Sequence, residues 1–204
     1  MLTLCSGGGT DPSGECYNRG KPNARREGGR RLVEALRPRL YVSSVYAINL
    51  ERLKARGIVG LVVDLDNTLV AWNNDRASHE LDRWVQRVKA DGFRICLVSN
   101  NFPARVRRFG EWLGVPSVPN AAKPRRRAFL QAMRLLDTDP ATTAVIGDQV
   151  FTDVLGGNRL HCYTILVLPL TEREYWTTRL VRRVERLVLP QGAPTSETTT
   201  HGSP

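Results

Sequence analysis

No apolar run in these 204 residues approaches the ~18 needed to cross a bilayer, so no membrane-spanning helix is expected. The opening stretch, Met1 to Cys5 followed by Gly7-Gly8-Gly9, has no apolar block of the kind a secretory signal carries. The expected location is therefore the cytoplasm. Cysteine is scarce: Cys5, Cys16, Cys96 and Cys162 form no CxxC pair, which excludes a zinc clip or disulfide framework on spacing grounds. Cys96 and Cys162 sit in apolar runs and read as core thiols in a reducing compartment. Basic runs with interleaved aromatics are missing too, and no nucleic-acid-binding module is recognisable. Positive charge, by contrast, is plentiful. The formal net charge is +10, which favours an anionic partner such as a phosphorylated substrate, an anionic membrane surface or nucleic acid. An arginine habit together with a basic tail is the other source of such an excess.

The chain divides by composition. Residues 1–30 are rich in Gly, Pro, Asn and Arg without apolar period and read as a disordered basic tail, as does 190–204. Between them 31–57 is a lead-in, 58–170 a core, and 171–189 a basic amphipathic helix. The core alternates. Ile58 to Leu65, Phe93 to Val98, Thr143 to Ile146 and Tyr163 to Leu168 are short β-branched or apolar runs that read as buried strands. Leu81, Trp84, Val85 and Val88 recur at helical spacing; Val106, Phe109 and Leu113 mark a second helix, and Phe129, Met133 and Leu136 a third. Pro103 and Pro124 stand where the second and third would open. A short helix spans Phe151 to Leu160. Strands alternating with helices predict a doubly wound, Rossmann-like parallel α/β sheet, whose ligands bind at the carboxyl ends of the strands.

Those strand ends carry the chemistry. The first runs into Asp64-Leu65-Asp66-Asn67-Thr68-Leu69, and residues two apart on a strand share a side, so Asp64 and Asp66 can converge. Two carboxylates that close repel, and a hard oxygen-liganded cation such as Mg²⁺ relieves the repulsion. An N-cap and turn would explain one acid there and not two. The second strand ends in Ser99-Asn100-Asn101, whose hydroxyl and N–H groups suit phosphate oxygens, although the tripeptide is also an ordinary turn. Lys123 precedes Pro124 on a loop between later strands, where a cation could meet a phosphate. As a loop charge it is expected to be exposed and to matter little for stability. The fourth strand ends in Gly147-Asp148, followed at Asp153 by a further acid; Asp148 would complete a cation site.

Together these segments resemble motifs I to IV of the haloacid-dehalogenase (HAD) phosphatases: D-x-D-N-T-L at 64–69, Ser99, Lys123, and G-D-x-x-x-x-D at 147–153. The likeness covers about 58–168. It implies a HAD fold, Asp64 as nucleophile and Asp66 as general acid and base. Thr68, Ser99, Asn100 and Lys123 would hold the phosphoryl group. Mg²⁺ would lie on Asp64, Asp148 and the backbone carbonyl of Asp66, with Asp153 supporting it. The lead-in, with Leu36-Arg37-Pro38, Ser43 to Tyr46 and Leu53 to Ile58, resembles the YqeG-like subclass IIIA branch, which is similar to phosphatidylglycerophosphate phosphatases.

Neither Leu69–Val98 nor Ser99–Lys123 has room for a cap domain, since an independent domain needs about 50 residues or more. An uncapped site suits a phosphate displayed on something large; a small metabolite would need a neighbouring subunit as cover. Near the end, Trp176, Leu180, Val184, Leu187 and Val188 share one helical face, opposite Arg179, Arg182, Arg183 and Arg186. That is the pattern of an interfacial anchor, and equally of a helix packed on the sheet. The expected activity is hydrolysis of a phosphorylated lipid head group, with peripheral contact at the inner face of the membrane. The alternatives are a phosphatase for nucleic-acid ends or phosphoproteins, and a catalytically silent phospho-ligand binder.

Overall fold

The computed structural model describes residues 33–170. The expected tails, 1–30 and 190–204, and the expected amphipathic helix, 171–189, lie outside the described residues. Compactness divides the chain into 1–34 and 35–204, and the sheet belongs wholly to the second unit.

Six strands form one sheet, and every pairing in it is parallel. In chain order they are β1 (Leu40–Val42), β2 (Gly60–Val63), β3 (Arg94–Val98), β4 (Ser117–Val118), β5 (Thr143–Gly147) and β6 (Tyr163–Val167), arranged β1-β6-β5-β2-β3-β4. The helices are α1 (Leu50–Ala55), α2 (His79–Ala90), α3 (Pro103–Leu113), α4 (Arg126–Leu136) and α5 (Leu155–Asn158). A π-helical turn, Val150–Val154, precedes α5.

The alternation of side chains along each strand explains the two layers. Leu61 and Val63 of β2, Ile95 and Leu97 of β3, and Ala144 and Ile146 of β5 pack with Leu81, Val85 and Val88 of α2 and Val106, Phe109 and Leu113 of α3. Val62, Cys96, Val98 and Val145 point the other way, against Ala128, Phe129, Ala132, Met133 and Leu136 of α4. Both faces of the sheet are thus covered, which is why its strands read as continuous apolar runs. Helix boundaries follow local chemistry. Ser78 caps α2 by accepting from the Leu81 N–H (3.1 Å), with Glu80 and Asp82 in the first turn and Arg87 and Lys89 in the last. Pro103 begins α3 as expected, and Gly114 ends it at φ 60°. Pro124 instead stands two residues before α4, which starts at Arg126.

The lead-in contributes to the sheet: β1 pairs with β6, and Val45, Ile48, Leu50 and Leu53 are buried in the same core as α2 and α3. From β2 the chain passes to β3 and β4 on one side, then returns to β5 and β6 on the other. The carboxyl ends of β2, β3 and β5 therefore meet at a switch point, the place where such sheets bind ligands. A turn, α2 and β3 fill Leu69–Val98, and α3 and β4 fill Ser99–Lys123, so no cap domain is inserted in either gap. Among the described residues no helix is long and apolar enough to cross a membrane.

Candidate active site

The Asp64 N–H donates to Ile146 O across to β5 (2.9 Å), which fixes the residue just beyond the end of β2. Its carboxylate is buried and meets the Lys123 ammonium at 2.6 Å. The same ammonium donates to Asp153 Oδ1 at 2.7 Å. Lys123 is brought there by its own backbone: its N–H donates to Asn100 Oδ1 (2.8 Å), tying the loop after β4 to the end of β3. The expectation of an exposed loop charge fails here. Lys123 is only 8% exposed, because two buried carboxylates give its charge a partner it would lack in a solvated loop.

Gly147, the last residue of β5, lets Asp153 approach, since a methyl group at that position would overlap the Asp153 carboxylate. Thr152 Oγ1 and the Gln149 N–H donate to Asp153 Oδ2 (3.2 and 3.3 Å), locking it inside the π-helical turn. The Thr68 hydroxyl is shared between Asp64 Oδ2 and Asp148 Oδ1 (3.3 and 3.4 Å). Asp64, Asp148 and Asp153, all buried, offer carboxylate oxygens within 4.8 Å of one another.

Charge balance tests whether a metal fits. Burial pushes the Asp64 carboxyl up to about 6 against the pull of Lys123, with Asp153 pushing it further up. Burial, then Asp64 and Asp153, push Asp148 up to about 7. For Lys123, burial favours the neutral amine, but Asp153 and Asp64 more than offset this and hold the ammonium above its usual range. Three buried acids thus face one ammonium. The set fits a hard divalent cation, for which clustered carboxylate oxygens are the natural ligands.

Asp66 faces a different partner. Its Oδ1 accepts from Arg105 Nε (2.9 Å), and its Oδ2 from Ser99 Oγ (3.0 Å) and Asn101 Nδ2 (3.2 Å). Arg105, on α3, is itself anchored by Asp75 Oδ1 (2.8 Å) and the carbonyl of Ala71 (3.2 Å). Sequence reasoning missed Arg105, and it took Asn101 only as part of the Ser99-Asn100-Asn101 turn, without its side-chain bond to Asp66. Arg105 precedes the apolar position Val106 and carries no signal that separates it from a solvated helix charge. Asn67, directly after Asp66, turns the chain with φ 62°, a left-handed conformation that asparagine tolerates. All the sequence-predicted side chains come to this one edge. Asp64, Asp66, Ser99, Asn100 and Lys123 line an open cleft of about 320 Å³, while Thr68 and Asp153 lie buried in contact with Asp64 or Lys123, and Asp148 lies buried against Thr68.

Residues 9–161 match the family model of haloacid dehalogenase-like hydrolases. The chain is 42% identical over 152 residues to the "Probable phosphatase YqeG" of Bacillus subtilis, covering 74% of this chain and 88% of that one. It is 27% identical over 162 residues to phosphatidylglycerophosphate phosphatase 1 of Arabidopsis thaliana, covering 74% of this chain and 47% of the longer relative. Among solved structures, a cobalt-bound deoxy-D-mannose-octulosonate 8-phosphate phosphatase from Haemophilus influenzae superposes with a TM-score of 0.45 at 17% identity, over 56% of this chain and 70% of that one. The chain belongs to the haloacid dehalogenase-like hydrolase family.

Proposed function

We propose that this protein is a magnesium-dependent phosphomonoester hydrolase that works through an aspartyl phosphate on Asp64. The observation that carries the reading is the buried Asp64–Lys123–Asp153 chain with Asp148 beside it, facing Asp66 in the same open cleft. A carboxylate oxygen of Asp64 attacks phosphorus and the ester oxygen departs, taking a proton from Asp66. Asp66 then removes a proton from the water that cleaves the acyl phosphate, which releases phosphate and restores Asp64. Thr68, Ser99, Asn100 and Lys123 hold the equatorial phosphoryl oxygens, with the Lys123 ammonium already adjoining the nucleophile. Mg²⁺ would be held by Asp64, Asp148 and the Asp66 carbonyl with Asp153 in support, and when bound it offsets charge on the transferring group.

For the substrate we favour a phosphorylated lipid head group such as phosphatidylglycerophosphate. The relative of that name and the uncapped cleft, which leaves room for a phosphate held on a large body, support this choice. So does the basic balance of the chain, which also suits peripheral contact with anionic lipid on the cytoplasmic side. The decisive experiment is phosphate release with Mg²⁺ from an aryl phosphate and from phosphatidylglycerophosphate in mixed micelles, beside sugar phosphates and a 3′-phosphorylated oligonucleotide. EDTA should stop turnover, and Asp64→Asn should lose it nearly completely, because an amide is neither nucleophile nor anionic ligand. Wild-type turnover in Asp64→Asn would remove the nucleophile assignment; preference for the oligonucleotide would move the substrate to nucleic-acid ends.

A further inference from the structure

Three of the most exposed large apolar side chains among the described residues are Phe102 (77%), Phe151 (66%) and Trp72 (63%). They come from three separate loops that leave the carboxyl ends of β3, β5 and β2. Trp72 and Phe102 line the cleft that holds Asp64, and Phe151 is flanked in the π-helical turn by Thr152, which also lines it. Nor are these loose tips. The Trp72 N–H donates to Asn67 Oδ1 (3.3 Å), the Phe102 N–H donates to Asn101 Oδ1 (2.7 Å), and Phe151 lies within a hydrogen-bonded turn. A fixed backbone holds each ring out into solvent, where a ring has nothing to gain.

Charge follows the cleft lysine along the chain. Past Lys123 the chain runs through Arg125, Arg126 and Arg127, all exposed, and none forms an ion pair among the described residues. Aromatic rings favour the boundary between head groups and acyl chains, and unpaired arginines favour anionic head groups. Aromatic rings with arginines would also suit stacked bases of a single-stranded nucleic acid; the lipid-phosphate reading above selects an anionic bilayer, which takes the rings at its interface and the arginines at its head groups.

We infer that Trp72, Phe102 and Phe151 form an aromatic rim that seats the open cleft on an anionic phospholipid surface, with Arg125, Arg126 and Arg127 meeting the head groups. This inference rests on the lipid-phosphate reading above. It assigns membrane contact to the catalytic edge itself, so that a head-group phosphate in the bilayer plane faces Asp64 directly.

The test uses the full chain and co-sedimentation with vesicles of phosphatidylglycerol and phosphatidylcholine, which contain no phosphomonoester. The combined variant Trp72→Ser, Phe102→Ser, Phe151→Ser should bind at least about tenfold more weakly at both low and high salt, because insertion of apolar rings is not screened. Arg125→Gln, Arg126→Gln, Arg127→Gln should weaken binding at low salt and have little effect at high salt. Phe151→Ser alone, at an exposed position, should reproduce part of the first loss. Wild-type affinity in the three-ring variant, or in Phe151→Ser if the combined variant does not fold, overturns the inference. The substrate reading is judged separately by phosphate release from phosphatidylglycerophosphate in detergent micelles. Ring-dependent vesicle binding without that release would sink the substrate reading alone; release without ring-dependent binding would sink the rim alone.

Discussion

Replacing Lys123 by methionine keeps the stem and removes the charge, which isolates the electrostatic role of the residue. The ammonium lies 2.6 Å from Asp64 and 2.7 Å from Asp153, with side chains 4%, 6% and 3% exposed. Breaking a buried pair by removing one partner typically costs about 3–5 kcal/mol, because the remaining charge is left uncompensated. At about 2–4 °C per kcal/mol for a chain of this size, Tm should fall by roughly 6–20 °C in EDTA at pH 8. The pH dependence follows from the acids. Asp64 and Asp148 have folded pKa values raised to about 6 and about 7 from an ordinary 3.8. A carboxyl of that kind binds more protons folded than unfolded. Its contribution to stability is present at low pH and is lost as pH rises through the folded value. In EDTA, then, wild type should lose stability between about pH 4 and pH 8 from these two groups. The methionine variant should lose more over the same window, since without Lys123 its acids have even less reason to ionise. At pH 5 the gap between the two proteins should narrow, with the part owed to Asp64 and Asp148 lost. Mg²⁺ should stabilise both, and the variant more at pH 8 than at pH 5, as the cation replaces the missing charge. Thermal melts at pH 5 and 8, in EDTA and in Mg²⁺, measure all of this. Equal Tm values at pH 8 in EDTA, or a deficit that does not shrink at pH 5, would refute the account of Lys123 as the counter-charge of this site.

Arg105→Ala removes the partner of Asp66 Oδ1; kcat for an aryl phosphate should fall roughly ten- to a hundredfold, since catalytic groups tolerate little misplacement. Mg²⁺-dependent stabilisation should be retained, and an unchanged kcat would show that Arg105 does not position the acid. Gly147→Ala should push Asp153 aside, weakening Mg²⁺ binding about ten- to a hundredfold, as expected when a supporting group around a metal is displaced. A titration of Tm against Mg²⁺ reads this directly, and a wild-type curve would mean that Asp153 can move without consequence.

What the sequence disclosed, and what it hid, divides along one physical line. Buried strands announce themselves because every residue of β2 and β5 is apolar or small and enclosed, and helices because Leu81, Val85 and Val88 must share a face. β4 escapes such reading: at two residues it is too short to show any period, and only its pairing with β3 defines it. β1 is three residues long and owes its place to β6, whose sequence lies more than 100 residues downstream. The same distinction holds at the cleft. Asp64, Asp66 and Asp148 were legible as candidates because carboxylates at the ends of apolar strands stand out, and Asp153 because it follows Gly147-Asp148 in the G-D-x-x-x-x-D segment. Lys123 was legible as a position but not as a buried group, because burial of a lysine depends on acids 59 and 30 residues away finding it. Arg105 was not legible at all: its partner Asp66 lies 39 residues upstream, and an arginine on a helix is ordinarily a solvated charge. The consequence reaches the chemistry. Besides any metal, the fold gives each acid of D-x-D a cationic side chain of its own, Lys123 for Asp64 and Arg105 for Asp66. Separate counter-ions let the two carboxylates take different roles within one cleft, with Asp64 beside the acids that suit a metal and Asp66 held apart from them by Arg105, Ser99 and Asn101.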